Sequence, residues 1–418
     1  MKRLRYPRWL RILGPGLVTG AADDDPSGIV TYSNAGAAFG YSQLWTLTLC
    51  LPLMISVQEA TARIGFVTGK GLAQVTRDFY SRRVLYGVVG LVLVANIINI
   101  GADIAAVGAA LQLLIPAPVA LLSTLFTVIV LSLEVFIQYH VYVRILKFLA
   151  LALLAYVATA LIVAEPWGQI FRATIVPHLQ WSSNYWYMIV GILGTTISPY
   201  MFFWQASEEV EEKRANRALT RDMRDVRIDN AIGMGVSQIG SWFMMVTTAT
   251  VLHANGILQI GTAADAAKAL EPLVTSFPHA GTIAKALFAV GVVGMGLLGI
   301  PVLAGSASYA VSEVMEWNEG LEQRARDARG FYGTIALSTL VGLALTLIGV
   351  DPIKALVFAA VVNGVVAVPL IFLLRRIVTN DEVMGDAVAS PLSRRMLAVT
   401  FVVMALCALA LFATFIPH

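Results

Sequence analysis

Charge is what this chain has least of: only 13% of its 418 residues are Asp, Glu, Lys or Arg, against 58% hydrophobic, and the mean hydropathy is +0.75. A chain so poor in charge cannot stay dispersed in water as a folded domain, so its solvent is lipid. Cysteine is scarce too. Cys50 and Cys407 both fall in apolar runs, where a thiol behaves as a small hydrophobe, which argues against a disulfide framework and a thiolate metal site. No nucleotide-binding loop, no histidine pair at metal-ligand spacing and no nucleophile motif occurs, and His140, His178, His253, His279 and His418 fall at span ends or in loops. An enzyme and a bound cofactor are therefore not expected, and the formal charge of +3 gives no reason to expect a nucleic-acid partner.

Alternating ten-residue segments are also missing, which excludes a membrane barrel. The apolar runs are instead about 20 residues long, the length of a membrane-spanning helix. Spans are expected at 12–34, 41–66, 83–112, 117–138, 141–164, 185–210, 227–253, 281–314, 331–349, 352–374 and 395–415, eleven in all. The opening MKRLRYPRWLRILGPG has the charge of a signal-peptide start but no cleavage site before Asp23, Asp24 and Asp25, and is expected to be retained. With this segmentation, 25 of the 29 basic residues lie on one side and only Arg172, Lys268, Lys285 and Lys354 on the other. The positive-inside rule then predicts a multi-pass protein of the bacterial inner membrane with a cytoplasmic N-terminus and an external C-terminus. Trp167, Trp181, Trp186 and Tyr187 are expected at the external interface, and EEVEEKRANRALTRDMRDVR and EWNEGLEQRARDARG as charged cytoplasmic connectors.

Ionisable residues at membrane depth are costly and are kept mostly where they face a pathway or a partner. The first span carries three together in GAADDDPSGIV, followed at once by Pro26, Ser27 and Gly28, which should unwind the helix and free carbonyl oxygens beside the carboxylates. Successive helical residues point about 100° apart, so the three aspartates cannot all face one ligand, and Asp25, next to the break, is the expected one. The bland alternative is that the acidic run is merely solvated in an aqueous vestibule. The sixth span has a matching interruption, GTTISPYMFFWQ, with Pro199 beside Thr195, Ser198 and Tyr200. Five spans separate the breaks, as in transporters built from two inverted halves with a site at the midplane.

At these breaks the sequence resembles the Nramp family of divalent-metal transporters, eleven-helix proteins of the LeuT-type fold. Members carry Asp-Pro-Gly-Asn on helix one and Met-Pro-His on helix six; here Asp25-Pro26-Ser27-Gly28 and Ser198-Pro199-Tyr200 take those places. INIGADIAAVGAAL is similar to the family's helix three, with Asp103 kept and Ala106 where a Glu would stand, and LLGIPVLAGSASYAVSEVMEW is similar to its helix eight. The resemblance implies an all-α membrane protein in a single domain of 418 residues. Its two inverted five-helix repeats would run over about 12–164 and 185–374, with an extra helix at about 395–415. It also implies metal ligation by Asp25 and by the carbonyls of Ala22 and Thr195, with Ser198 in place of a sulfur ligand, Gly28 without a side chain and Tyr200 beside them.

Loss of the soft thioether points to a hard ion such as magnesium, which tolerates a roomier pocket, with manganese possible in principle. The family's helix-six histidines become Tyr200 and Gln205, so this chain resembles the Nramp-related magnesium transporters, a branch that works without proton coupling. Asp23, Asp24, Asp103, Asn99, Asn363 and Gln205 are secondary pathway candidates, and Asn96, Gln58 and Glu59 are polar enough to line a path; for Asn363 beside Gly364 a small-residue packing seam is the alternative. The expected partners are the metal-ion substrate and the bilayer; the oligomeric state is left open, a monomer being compatible with the reading. A second hypothesis, an organic-cation carrier of the same fold, draws on the aromatic set Tyr200, Phe202, Phe203 and Trp204.

Overall fold

The computed structural model describes residues 14–136, 154–163, 166–215 and 222–415, and among them every regular element is a helix. In chain order the main ones are α1 (Pro15–Asp23), α2 (Pro26–Phe39), α3 (Leu44–Thr68), α4 (Leu72–Phe79) and α5 (Arg82–Gln112). Next come α6 (Val119–Phe136), α7 (Leu154–Ile162), α8 (Trp167–Ile175), α9 (Ser183–Thr196) and α10 (Pro199–Ala215). The chain continues with α11 (Met223–Val251), α12 (Ala280–Met315), α13 (Arg329–Leu347), α14 (Pro352–Val378) and α15 (Pro391–Ala413). Eight helical runs among the described residues are long and apolar enough to cross a bilayer. The expected span at 141–164 is described only over its last part, α7, and the rest lies outside the described residues. The same is true of the basic residues at positions 2–11, of Arg144 and Lys147, and of the connector at 216–221.

Both interruptions fall where proline predicts them. Pro26 has no N–H to donate and pushes the residue before it into extended backbone, so Asp25 adopts φ −61°, ψ 172° and becomes the N-cap of α2 while α1 stops at Asp23. In the second break Ile197, at φ −116° and ψ 59°, ends α9, and α10 restarts at Pro199. The connector expected to carry the sixth span into water begins as helix, since α10 runs on through Glu208–Lys213 to Ala215.

Close helix approaches position these breaks. A Cβ at Gly20 would lie 2.3 Å from Gly233 O, so α1 touches the backbone of α11 directly. A Cβ at Gly194 would lie 2.0 Å from Ala360 O, so α9 is in similar contact with α14 beside Gly364. The start of α1 is held as well: Asp229 on α11 accepts from the Gly14 and Gly16 N–H groups, each at 2.9 Å, and satisfies donors that a helix start leaves open. Arg63, Arg77 and Arg227 gather at one end of the molecule, where Glu59 accepts from Arg63, from Arg227 at 3.0 Å and from Ser393 at 2.7 Å. Glu59 is thus committed to an ion pair joining α3, α11 and α15 and does not line a free path. At the other end Trp181 stacks edge-on against Trp186 with ring centroids 5.6 Å apart, and Trp181 is largely exposed.

Candidate metal-binding site

Asp25 stands at the meeting point of four helices. Because it caps α2, its Oδ1 accepts from the Gly28 N–H at 2.8 Å and from the Ser27 hydroxyl at 2.6 Å. Its Oδ2 accepts from the Asn99 amide on α5 at 3.2 Å and lies 3.4 Å from the Tyr200 hydroxyl on α10, which also reaches Ala22 O at 3.2 Å. Behind it, a Cβ on Gly299 of α12 would come within 2.9 Å of the Asp25 Cβ, so only glycine fits there without moving the carboxylate. Asn99 extends the network to Asp103 Oδ2 at 3.5 Å and accepts from Asn363 of α14 at 3.4 Å. Asp103 Oδ1 and Asn363 Oδ1 have no partner. Asn363 and Gly364 thus do both jobs weighed for them, the first facing α5 and the second packing against Val190 and Gly194 of α9.

The second break closes the pocket from the other side. Thr195 Oγ1 lies 3.4 Å from Ser27 Oγ, while the Ser198 hydroxyl turns back to donate to Gly194 O at 2.7 Å and Thr195 O at 2.8 Å. Ser198 therefore reaches the site through Thr195 O in this arrangement. The missing side chain of Gly28 does not leave an open space. A Cβ there would meet Asp23 O at 3.2 Å, Thr195 Oγ1 at 3.3 Å and the Tyr32 ring at 3.4 Å. Asp25, Asp103, Asn99, Asn363, Thr195, Ser198 and Tyr200 are all buried, so the pocket is sealed from both aqueous sides.

Asp23 and Asp24 point elsewhere. The Ser237 hydroxyl of α11 donates to Asp23 Oδ2 at 2.7 Å, and that of Ser241 donates to Asp24 Oδ1 at 3.0 Å. With exposures of 0% and 6% the two are not solvated in a vestibule, which removes the bland reading of the acidic run. Gln205 is also away from Asp25, accepting from Thr19 and donating to Glu209 at 3.1 Å. Sequence reasoning missed Ser237, Ser241, Gly299 and Asp229 as partners of the broken helix. The four-residue spacing of the two serines on one helix face was the one available signal.

The atoms brought to Asp25 are oxygens and N–H donors, with no sulfur and no imidazole among them. As arranged here the N–H and O–H groups donate to the carboxylate, and it is the oxygens, from carboxylate, hydroxyls and the Ala22 carbonyl, that suit hard, strongly hydrated cations. A cavity of about 650 Å³, lined among others by Asn34, Asn184, Tyr187, Gln259 and Asp351, lies between α2, α9 and α14.

The family model described as natural resistance-associated macrophage protein-like, Nramp, matches residues 16–414. The chain is 27% identical over 387 residues to the divalent metal cation transporter MntH of Klebsiella pneumoniae strain 342, covering 91% of this chain and 88% of that protein. Among solved structures, it matches the Eremococcus coleocola manganese transporter, crystallised with an aromatic bis-isothiourea compound, with a TM-score of 0.76 at 17% identity over 98% of this chain and 87% of that one. It also matches Mhp1, a nucleobase-cation-symport-1 family transporter, with a TM-score of 0.57 at 13% identity over 96% of this chain and 90% of that one. The two structural likenesses establish the fold.

Proposed function

The chain belongs to the Nramp family, and from that premise we propose that it carries a divalent cation across the bacterial inner membrane by alternating access, with a preference for a hard ion such as magnesium over manganese. The observation that carries this reading is the set of atoms around Asp25: a carboxylate, two hydroxyls, an amide and a carbonyl, with Ser198 where a thioether would select softer metals. Asp25 supplies the charge, Ala22 and Thr195 supply carbonyl oxygens, and Tyr200, Gly28 and Ser198 shape the pocket. Asp103, Asn99 and Asn363 continue the polar route behind it. The N-terminus lies in the cytoplasm. The likeness to a divalent metal cation transporter and to a manganese transporter supports the cation class.

The organic-cation alternative loses its support here. Tyr200, Phe202, Phe203 and Trp204 are each 0% exposed. Trp204 packs against Gly305 and lies edge-on to Tyr309, so that ring is engaged in helix contacts rather than offered to a ligand. Purified protein in liposomes is expected to admit magnesium, and Asp25→Ala to abolish the flux. Flux of neither magnesium nor manganese, or flux indifferent to that substitution, refutes the reading.

A further inference from the structure

The three consecutive aspartates of the first break are dealt to two different places. Asp25 caps α2, at a helix end whose partial charge is positive and favours a carboxylate. Asp23 is the last residue of α1 and Asp24 its C-cap, where the aligned peptide dipoles present negative charge. The helix end that helps Asp25 therefore opposes the other two. Both are buried, and no Lys, Arg or His side chain pairs with either among the described residues. Their partners are the hydroxyls of Ser237 and Ser241, and Ser237 lies beside both carboxylates. The Tyr32 hydroxyl, 2.8 Å from Thr196 Oγ1, closes the near side.

A second observation is independent of the acidity. Asp23 Oδ1 is fully enclosed yet receives no donor. Buried polar atoms are almost always satisfied, so an enclosed carboxylate oxygen without a donor marks a missing partner. Two uncompensated carboxylates in a low-dielectric interior call for positive charge. The donors are all oxygens, which selects a hard cation, and two negative charges match a divalent one.

We propose that Asp23, Asp24, Ser237 and Ser241 form a second cation-binding subsite between α1 and α11, which takes one hard divalent ion in addition to the ion at Asp25. This deepens the reading of the first break as a cation site and rests on it. An ion there ties α1 to α11, so the half-helix is held until the ion leaves.

The test is equilibrium dialysis of the full chain in detergent against magnesium, with bound metal counted by atomic absorption. Wild type is expected to hold two ions per chain, the Asp23→Asn/Asp24→Asn variant one, and Asp25→Ala one. Since the double asparagine variant can fail to fold, Ser237→Ala/Ser241→Ala keeps both carboxylates and is expected to weaken only one of the two binding steps, by about tenfold. A wild-type count of one that vanishes with Asp25→Ala and ignores the other variants overturns the second subsite and leaves the Asp25 reading standing. A single ion lost with Asp23→Asn/Asp24→Asn but kept by Asp25→Ala overturns the two-ion proposal and the Asp25 reading together. No bound ion in wild type also overturns both.

Discussion

Around Asp25 each neighbour limits what the carboxylate can do. Gly299 presses on it from α12, so Gly299→Ala is expected to displace it and to lower magnesium flux in liposomes by about tenfold, equivalent to about 1.4 kcal/mol, with the fold retained. Flux at the wild-type level would show that the carboxylate tolerates the shift. Tyr200→Phe removes the hydroxyl next to both Asp25 Oδ2 and Ala22 O and is expected to change apparent affinity for magnesium more than maximal flux, measured as a concentration series. Asp25 was legible in the sequence because the proline after it forces the extended backbone that makes it a cap. The directions of Asp23, Asp24 and Gln205 were not, because they depend on hydroxyl and amide partners more than 180 residues away in the chain. Ser198 turned back on its own helix because a serine can bond carbonyls three and four residues before it, a local competition invisible to motif comparison.

Among the helices, α1 depends most on what it leans against. Its nine residues are too few to hold together alone, and its start is secured by Asp229. Asp229→Ala is expected to cost about 1–2 kcal/mol, the usual loss when a helix start loses its capping oxygen, read as a lower melting temperature in detergent. Gly20→Leu, forcing a side chain into the backbone of α11, is expected to be worse, with about 3 kcal/mol or more lost or no folded protein recovered. An unchanged melting curve for both would mean that α1 is not seated on α11 in solution. Both breaks followed from proline, and the eight long apolar runs among the described residues from run length, fewer than the eleven spans expected. The seating of α1 did not, since glycine in a membrane helix is as common in harmless packing as at a site of closest approach.

For the molecule as a whole, the end that gathers arginines also gathers acids. A cavity of about 480 Å³ there is lined in part by Arg77, Arg214, Glu313, Glu316 and Glu319. Burial, then the neighbouring Glu313 carboxylate, pushes Glu319 in the loop after α12 up to about 9. A carboxyl whose folded value exceeds its unfolded one is held protonated by the fold, so stability falls as pH rises from about 4.5 towards 9. Glu319→Gln is expected to flatten the melting temperature over that range, and an equal slope in wild type and variant would show that Glu319 is not responsible. The sequence placed Glu316 and Glu319 in a connector but could not show that the connector folds back onto α4 and α10, where Glu316 pairs with Arg77 at 3.2 Å and the Leu321 N–H donates to Glu211 at 3.1 Å. The direct backbone contact at Gly20 and Gly233 has one more consequence. At that point no side chain stands between the two rods, so they meet there as a smooth bearing on which the shorter one can pivot. The resistance to that pivot then resides in the polar ties at its two ends, where a solute can be the key.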